Sequence, residues 1–257
     1  AAEALHGARV ASRFPGMTGE AHVSDWQSLI AAKDDLVSTM RRKKYVDLLP
    51  EYDGVAYLEG VAKLNGQGVI VGGAAVGADK IVIATGSSAA LPDIPGVADV
   101  PYLTSTTALE LTELPRSLIV IGGGYIGCEL SQMFARVGTE VTLVTRSCLL
   151  PEAEPEISGA LADYFRDEGI TVRSGLAYRR IDYTEDGIAL VVAAGDGGED
   201  TIVGDQVVMT TGRTPNSANL GLAEAGIELT TNGGVFVDDR MRTSQAGVYA
   251  AGDVTGK

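Results

Sequence analysis

The chain has 257 residues and a mass of 26.6 kDa, enough for one large domain or two ordinary ones. With 45% hydrophobic and 21% charged residues it can bury a sizeable core and is not a disordered segment. A net charge of −14 argues against a surface that gathers nucleic-acid phosphates or anionic lipid, so neither is expected as a partner.

Nothing in the sequence approaches the ~20 apolar residues of a membrane-spanning helix. Ala1-Ala2-Glu3-Ala4-Leu5-His6 also lacks the charged and apolar regions of a signal peptide, and a cytoplasmic location is expected. Cys128 and Cys148 form neither a disulfide framework nor a metal signature, and no metal site is predicted. Thirty-three residues are glycine, well above the usual ~7%, which points to tight turns and close backbone approaches.

In chain order, residues 25–44 are predicted as a helix. Trp26, Leu29, Ile30, Val37 and Met40 recur at three- and four-residue steps, and Ser24 or Asp25 can cap the start. The basic run Arg41-Arg42-Lys43-Lys44 has no aromatic platform and reads as a solvated helix end. Short β-type runs follow at 55–61, 68–71 and 80–86, the last ending on a small-residue turn, and a Pro/Gly connector occupies 91–96. From Ser117 the pattern is βαβαβ: strand 118–121, helix 125–137, strand 141–144, helix 155–168, strand 170–172. The second helix is expected to turn Ile157, Leu161, Tyr164 and Phe165 inward, with Gly169 at its C-terminal end. A hairpin-rich insertion with a turn at Gly195-Asp196-Gly197-Gly198 leads to 205–212, which repeats the strand-to-small-residue signal of 80–86. The strand ending Ala250-Ala251-Gly252-Asp253 closes the series.

Gly122-Gly123-Gly124-Tyr125-Ile126-Gly127 places glycines at 122, 124 and 127 between strand and helix, the pattern of a dinucleotide cradle. Gly122 permits the tight turn, Gly124 admits a pyrophosphate to the backbone, and Gly127 lets the helix pack on the strand. The helix N-terminus then supplies free N–H groups, with Tyr125 and Ile126 in its first turn. A carboxylate at the end of the second strand selects NAD and an arginine selects NADP. Here that strand ends Val144-Thr145-Arg146-Ser147, which favours NADPH and makes Thr145 and Arg146 cofactor-binding candidates, the alternative being that Arg146 is an ordinary loop residue.

Gly-x-Gly-x-x-Gly-x-Glu ending at Glu129, Thr210-Thr211-Gly212-Arg213-Thr214-Pro215-Asn216 and Ala250-Ala251-Gly252-Asp253 together resemble the FAD-dependent pyridine nucleotide–disulfide oxidoreductases. Arg41-Arg42-Lys43-Lys44-Tyr45, residues 101–106, 132–138 and 241–244 are most similar to the mercuric reductases of that family. The resemblance covers essentially the whole chain. It implies an α/β fold in which a Rossmann-like NAD(P)-binding domain, 116–236, is inserted in a partial FAD-binding domain, 1–115 and 237–257. It further implies that Asp253 hydrogen-bonds the FAD ribitol, that Thr85 and Gly86 lie along the flavin, and that Tyr125 lids the nicotinamide pocket. Glu129 would point to the nicotinamide amide and Gly212 would close the groove. The plainer readings are helix packing for Tyr125 and a dipole-favouring acid for Glu129.

The family's N-terminal glycine-rich FAD unit, its Cys-x-x-x-x-Cys redox pair and its C-terminal dimerisation domain are not found in these residues, so no catalytic residue is assigned. Cys128 is expected as a packing residue and Cys148 as a surface or half-buried thiol. The expectation is an internal fragment of a homodimeric flavoenzyme that passes hydride from NADPH to FAD and on to a cysteine pair, reducing Hg(II) to Hg(0). The fragment alone is expected to be inactive. Three alternatives stand beside that: a dihydrolipoamide dehydrogenase or other disulfide reductase, an isolated, non-catalytic NADP-binding module, and a flavin NADH oxidase or ferredoxin reductase relative.

Overall fold

The computed structural model describes residues 1–66, 68–195 and 197–257. Two helices come first, α1 (Ala2–Arg9) and α2 (Trp26–Arg41), the second opening where Asp25 accepts the Ser28 amide at 3.2 Å and continuing into one π-helical turn, Arg42–Val46. An antiparallel sheet follows, β1 (Ala62–Leu64), β2 (Gly68–Val71) and β3 (Ala74–Gly77), then β4 (Ile81–Ile83) and β5 (Ser87–Ala89). Next come β6 (Tyr102–Leu103) and α3 (Ser105–Ala108), capped by reciprocal Thr104 and Thr107 hydrogen bonds. The chain then runs β7 (Ser117–Ile121), α4 (Tyr125–Val137), β8 (Glu140–Val144), α5 (Pro155–Asp167) and β9 (Thr171–Arg173). The antiparallel strands β10 (Tyr178–Thr184), β11 (Gly187–Ala193) and β12 (Glu199–Gly204) precede β13 (Gln206–Met209), β14 (Arg213–Pro215) and β15 (Val248–Ala250).

These elements form two compact units, one of Ala1–Leu36 with Ala89–Gly212 and one of Val37–Ser88 with Arg213–Lys257. The first is built on a parallel sheet of order β6-β13-β7-β8-β9. Leu118, Ile119, Val120 and Ile121 of β7 are all buried, because a central parallel strand is covered on both faces. On one face Leu118, Val120, Leu143 and Val208 pack against Leu130, Phe134 and Val137 of α4 and Phe165 of α5. On the other, Ile119, Ile121, Val207 and Met209 meet Ile181, Ile188, Leu190 and Val192 of the β10–β12 sheet. The two-residue strand period alone sends alternate side chains of β7 into these separate cores.

The N-terminal segment packs on the helical layer: Leu5 joins the α4 core, and the Trp26 and Phe134 rings lie 6.4 Å apart. Arg136 donates to both oxygens of Glu168, at 2.7 and 2.9 Å, and Gln132 adds a third bond at 2.7 Å. This fork ties α4 to the end of α5. The second unit has a smaller core of Ile83, Leu222, Ile227, Val235, Val237, Val248, Ala250 and Val254, with β4 and β15 paired in parallel.

The βαβαβ run lies where the sequence places it, and two local expectations are corrected. Residues 55–61 are not a strand: Val55, Tyr57, Leu58 and Val61 are exposed and pair with no strand among the described residues, so β-type residues there have no ladder to join. In α5 the buried line is Ser158, Leu161, Ala162 and Phe165, while Ile157 and Tyr164 face solvent. The i, i+3, i+4, i+7 set is displaced by one residue from the expected face, because a small residue, Ser158, takes the contact position. In the turn expected at 195–198, Asp196 lies outside the described residues.

Arg136 donates to Glu168 and holds its carboxyl below the ordinary 4.5, and the other contributions to that lowering are smaller. A depressed acid adds stability above its unfolded pKa and loses it as pH falls through the folded one. Glu168→Gln is therefore expected to cost about 1–3 kcal/mol at pH 7 and to flatten the loss of stability below about pH 4.5. Denaturant unfolding at pH 7 and pH 4 measures both, and an unchanged slope with pH would show that Glu168 carries no such linkage.

Candidate functional site

After β7 the chain turns through Gly122, at φ +117, whose N–H donates to Val144 O at 2.9 Å. A Cβ on Gly122 would fall 2.5 Å from Thr210 O, and one on Gly127 would fall 2.0 Å from Gly122 O. A Cβ on Gly124 would meet nothing within 4 Å. Gly122 and Gly127 thus permit β7, α4 and β13 to come together, while Gly124 faces open space. The Thr210 hydroxyl lies 2.9 Å from Ile121 O and 3.0 Å from Gly122 O, clamping both carbonyls from β13, and Leu150 N–H holds Gly123 O at 2.7 Å. No side chain caps α4 at Gly124, so its first-turn amides keep their donors free toward the cleft.

That cleft has a volume of about 250 Å³ and brings together Gly122, Gly124, Thr145, Arg146 and Gly212, five of the residues the sequence singles out. Arg146 is exposed and makes no ion pair among the described residues. Thr145 is buried and tied to Arg173 O through its N–H at 2.9 Å. Gly127 is buried beneath the cradle and Ile126 half-buried against the core, so Ile126 packs the helix with its side chain and offers the cleft only its backbone. Tyr125 and Glu129 are exposed one helical turn apart on one side of α4. An open glycine face, unclaimed helix amides and an unpaired guanidinium fit an anionic dinucleotide. The cleft also contains Tyr178, Thr210, Ser147 and Pro151, which sequence reasoning missed. Thr210 belongs to a motif already noticed, but nothing in the sequence marks Tyr178.

In the second unit, Asp253 accepts a hydrogen bond from the Ser87 hydroxyl at 2.7 Å and has Arg213 Nε at 3.6 Å. Arg213 also donates to Ser87 Oγ and O, each at 2.6 Å. Asp253 lines a cleft of about 280 Å³ with Ser87, Arg213 and Lys257, whereas Thr85 lines a separate apolar hollow with Leu64 and Ile83. Gly86, at φ +70, joins the end of β4 to β5 and its carbonyl accepts Asn216 N–H at 2.9 Å. An exposed carboxylate held by a serine and an arginine fits the hydroxyls of a flavin ribitol. Among the described residues the glycine cradle at 122–127 is the one unit of its kind, so a second cradle for the flavin pyrophosphate is not among them.

Cys128 is buried, its Sγ 3.6 Å from Gly123 O, and burial, with the Glu129 charge second, pushes its thiol up to about 11. It is a packing residue and stays protonated at neutral pH. Cys148 is exposed. Gly127→Ala is expected to cost about 1–3 kcal/mol through overpacking and to weaken binding of the nicotinamide dinucleotide at least about tenfold. Gly159→Ala, in α5 where a Cβ meets nothing within 4 Å, is expected to raise stability by up to about 1 kcal/mol and leave binding alone. Unfolding and calorimetric titration of the two variants separate a steric cradle from a general intolerance of side chains.

The sequence matches the pyridine nucleotide-disulphide oxidoreductase family over residues 5–257. It is 42% identical over 261 residues to a mercuric reductase of Streptomyces lividans, covering 99% of this chain and 55% of that protein. It is 41% identical to a mercuric reductase of Staphylococcus aureus, covering 94% and 44%. The chain thus spans about half the length of these curated relatives. In structure it is similar to the HOCl-induced flavoprotein disulfide reductase RclA from Escherichia coli, with a TM-score of 0.83, 31% identity, and coverage of 91% of this chain and 53% of that one. Among the described residues no helix is long and apolar enough to cross a membrane. With its parallel sheet, glycine cradle and matched motifs, the chain belongs to the pyridine nucleotide-disulphide oxidoreductase family, an oxidoreductase family of Rossmann-like fold whose members' cofactors are NAD(P)H and FAD.

Proposed function

We propose that this chain carries the nicotinamide site and part of the flavin site of a cytoplasmic, homodimeric flavoenzyme that uses NADPH to reduce Hg(II). The observation that carries the NADPH assignment is the cleft in which the open face of Gly124 and the unpaired Arg146 lie together. The mercuric reductases to which the chain is similar support the metal as substrate. By cofactor, residues 116–236 are assigned to NAD(P)H and residues 1–115 and 237–257 to FAD. This partition differs from the packing at the N-terminus, where α1 and Trp26 lie on α4.

NADPH supplies a hydride and FAD relays its two electrons, so that NADPH and Hg(II) give NADP⁺, H⁺ and Hg(0). The chain's own residues bind and orient. The amides at the start of α4, from Gly124, Tyr125 and Ile126, hold the pyrophosphate against the face left open by Gly124, in the turn that Gly122 and Gly127 make possible. Thr145 and Arg146 receive the adenosine end, the guanidinium neutralising the 2′-phosphate. Tyr125 covers the nicotinamide ring, Glu129 accepts from its amide, and Gly212 closes the groove. Asp253 accepts from a ribitol hydroxyl, and Thr85 and Gly86 line the same cofactor. A cysteine pair outside these residues hands the electrons to the metal. The name of the flavoprotein disulfide reductase that the structure resembles favours a second reading, in which the final acceptor is a disulfide.

Calorimetric titration with NADPH and NADH tests the coenzyme assignment. NADPH is expected to bind at least tenfold tighter, and Arg146→Glu to remove that preference while leaving NADH within a few-fold, since the change deletes one charge-assisted hydrogen-bonding group and sets a carboxylate against the phosphate. Equal affinities in the unmodified chain would overturn it. For the substrate, the protein that includes both this chain and a redox cysteine pair is expected to oxidise NADPH when Hg(II) is added. Oxidation with a disulfide and none with Hg(II) would decide for the second reading.

A further inference from the structure

Tyr178 stands at the start of β10, outside the glycine motif and far along the chain from it. Its hydroxyl donates to Val144 O, the last carbonyl of β8, at 3.1 Å. The Arg146 backbone amide also bonds the Tyr178 oxygen, and the Arg146 charge acts on it. The ring is half-buried and lines the cleft together with Arg146. Burial pushes the phenol up to about 12 against the smaller opposing pull of the Arg146 charge and amide, so the hydroxyl stays a neutral donor at physiological pH. The chain on either side is laced by backbone bonds: Thr145 N–H to Arg173 O at 2.9 Å, Leu176 N–H to Thr145 O at 3.2 Å, and Gly175 N–H to Ser147 O at 2.9 Å. These bonds bracket residue 146, and the Tyr178 hydroxyl adds a side-chain bond at the end of β8, two residues before it.

We infer that Tyr178 is a positioning residue for coenzyme choice: by pinning the end of β8 it aims Arg146 into the cleft at the 2′-position of the adenosine ribose. The inference rests on the assignment of Arg146 to the 2′-phosphate given above. Arginine has many rotamers and a planar fork that rewards correct placement. A fixed backbone at residue 146 lowers the ordering cost of each hydrogen bond the guanidinium makes, and a loose one spreads the charge over positions that do not meet the phosphate. Because Tyr178 acts through Arg146, its removal should be felt by ligands that carry a 2′-phosphate and hardly by those that lack it.

The test compares 2′,5′-ADP with 5′-ADP by calorimetry on the unmodified chain, Tyr178→Phe, Arg146→Gln and the double variant, with Tyr178→Met as a second way to remove the hydroxyl should Phe not fold. The quantity read is the ratio of the two dissociation constants. A residue that merely supports the fold would weaken both ligands alike and leave that ratio unmoved. The expected result is a preference for 2′,5′-ADP of at least tenfold in the unmodified chain, reduced three- to tenfold by either Tyr178 variant. In the Arg146→Gln background the Tyr178 change should have no further effect on the ratio, which is the coupling that a double-mutant cycle isolates. An unchanged ratio in the Tyr178 variants, beside a preference abolished in Arg146→Gln, overturns the Tyr178 role alone. A ratio of one in the unmodified chain overturns the Arg146 assignment, and the Tyr178 role with it.

Discussion

A helix can offer its free amides to a phosphate only if its first turn sits against the strand that precedes it, and two glycines make that approach sterically possible here. A Cβ on Gly127 would lie 2.0 Å from Gly122 O, and one on Gly122 would lie 2.5 Å from Thr210 O, so three elements meet where no side chain fits. Thr210 answers the carbonyls that this meeting buries, its N–H donating to Ile121 O at 2.9 Å and its hydroxyl lying 3.0 Å from Gly122 O, the second a bond that an apolar residue could not make. The order β6-β13-β7-β8-β9 follows the same constraint, since β13 must lie beside β7 for Thr210 to reach the turn and β8 must lie on its other side for Val144 to receive Gly122 N–H.

From that meeting point outward, much is legible in the sequence. The run 118–121 reads as a strand buried on both faces, and glycine spacing places the turn and the start of α4 because each glycine answers a separate steric demand. The apolar face of α4 falls where period 3.6 puts it, around Leu130, Phe134 and Val137, since the helix must cover a sheet of known position. Arg146 stands out because a parallel strand ends at a fixed distance past the cradle.

What escapes depends on partners that a local pattern does not name. Residues 55–61 carry β-type side chains, but a strand exists only through a neighbour, and none pairs with them among the described residues. The face of α5 is displaced because a small serine, Ser158, allows a closer seat on the core than Ile157 would, a packing choice that hydrophobicity ranks the wrong way. Tyr178 reaches Val144 across 34 positions of sequence, from a strand in a different sheet, and no periodicity links the two. The flavin-side residues divide similarly: Asp253 and Thr85 follow two paired strands, β15 and β4, yet line different clefts.

The chain's charge of −14 sits awkwardly beside a ligand that itself carries several negative charges. Screening resolves this, because at physiological ionic strength the field of exposed carboxylates fades over about 8 Å, whereas the cradle acts through amides and a guanidinium at hydrogen-bonding distance. What matters is then the sign of the groups within that range. The lining of the cleft contains Arg146 and no carboxylate, and Glu168 is engaged in a fork with Arg136. A chain acidic overall can therefore keep a locally positive hollow, provided the one cation there is left without an acidic partner of its own. Arg116 pairs with Asp205, Arg136 with Glu168 and Arg173 with Asp200, whereas Arg146, at the end of β8 where an anion is to be held, makes no ion pair among the described residues.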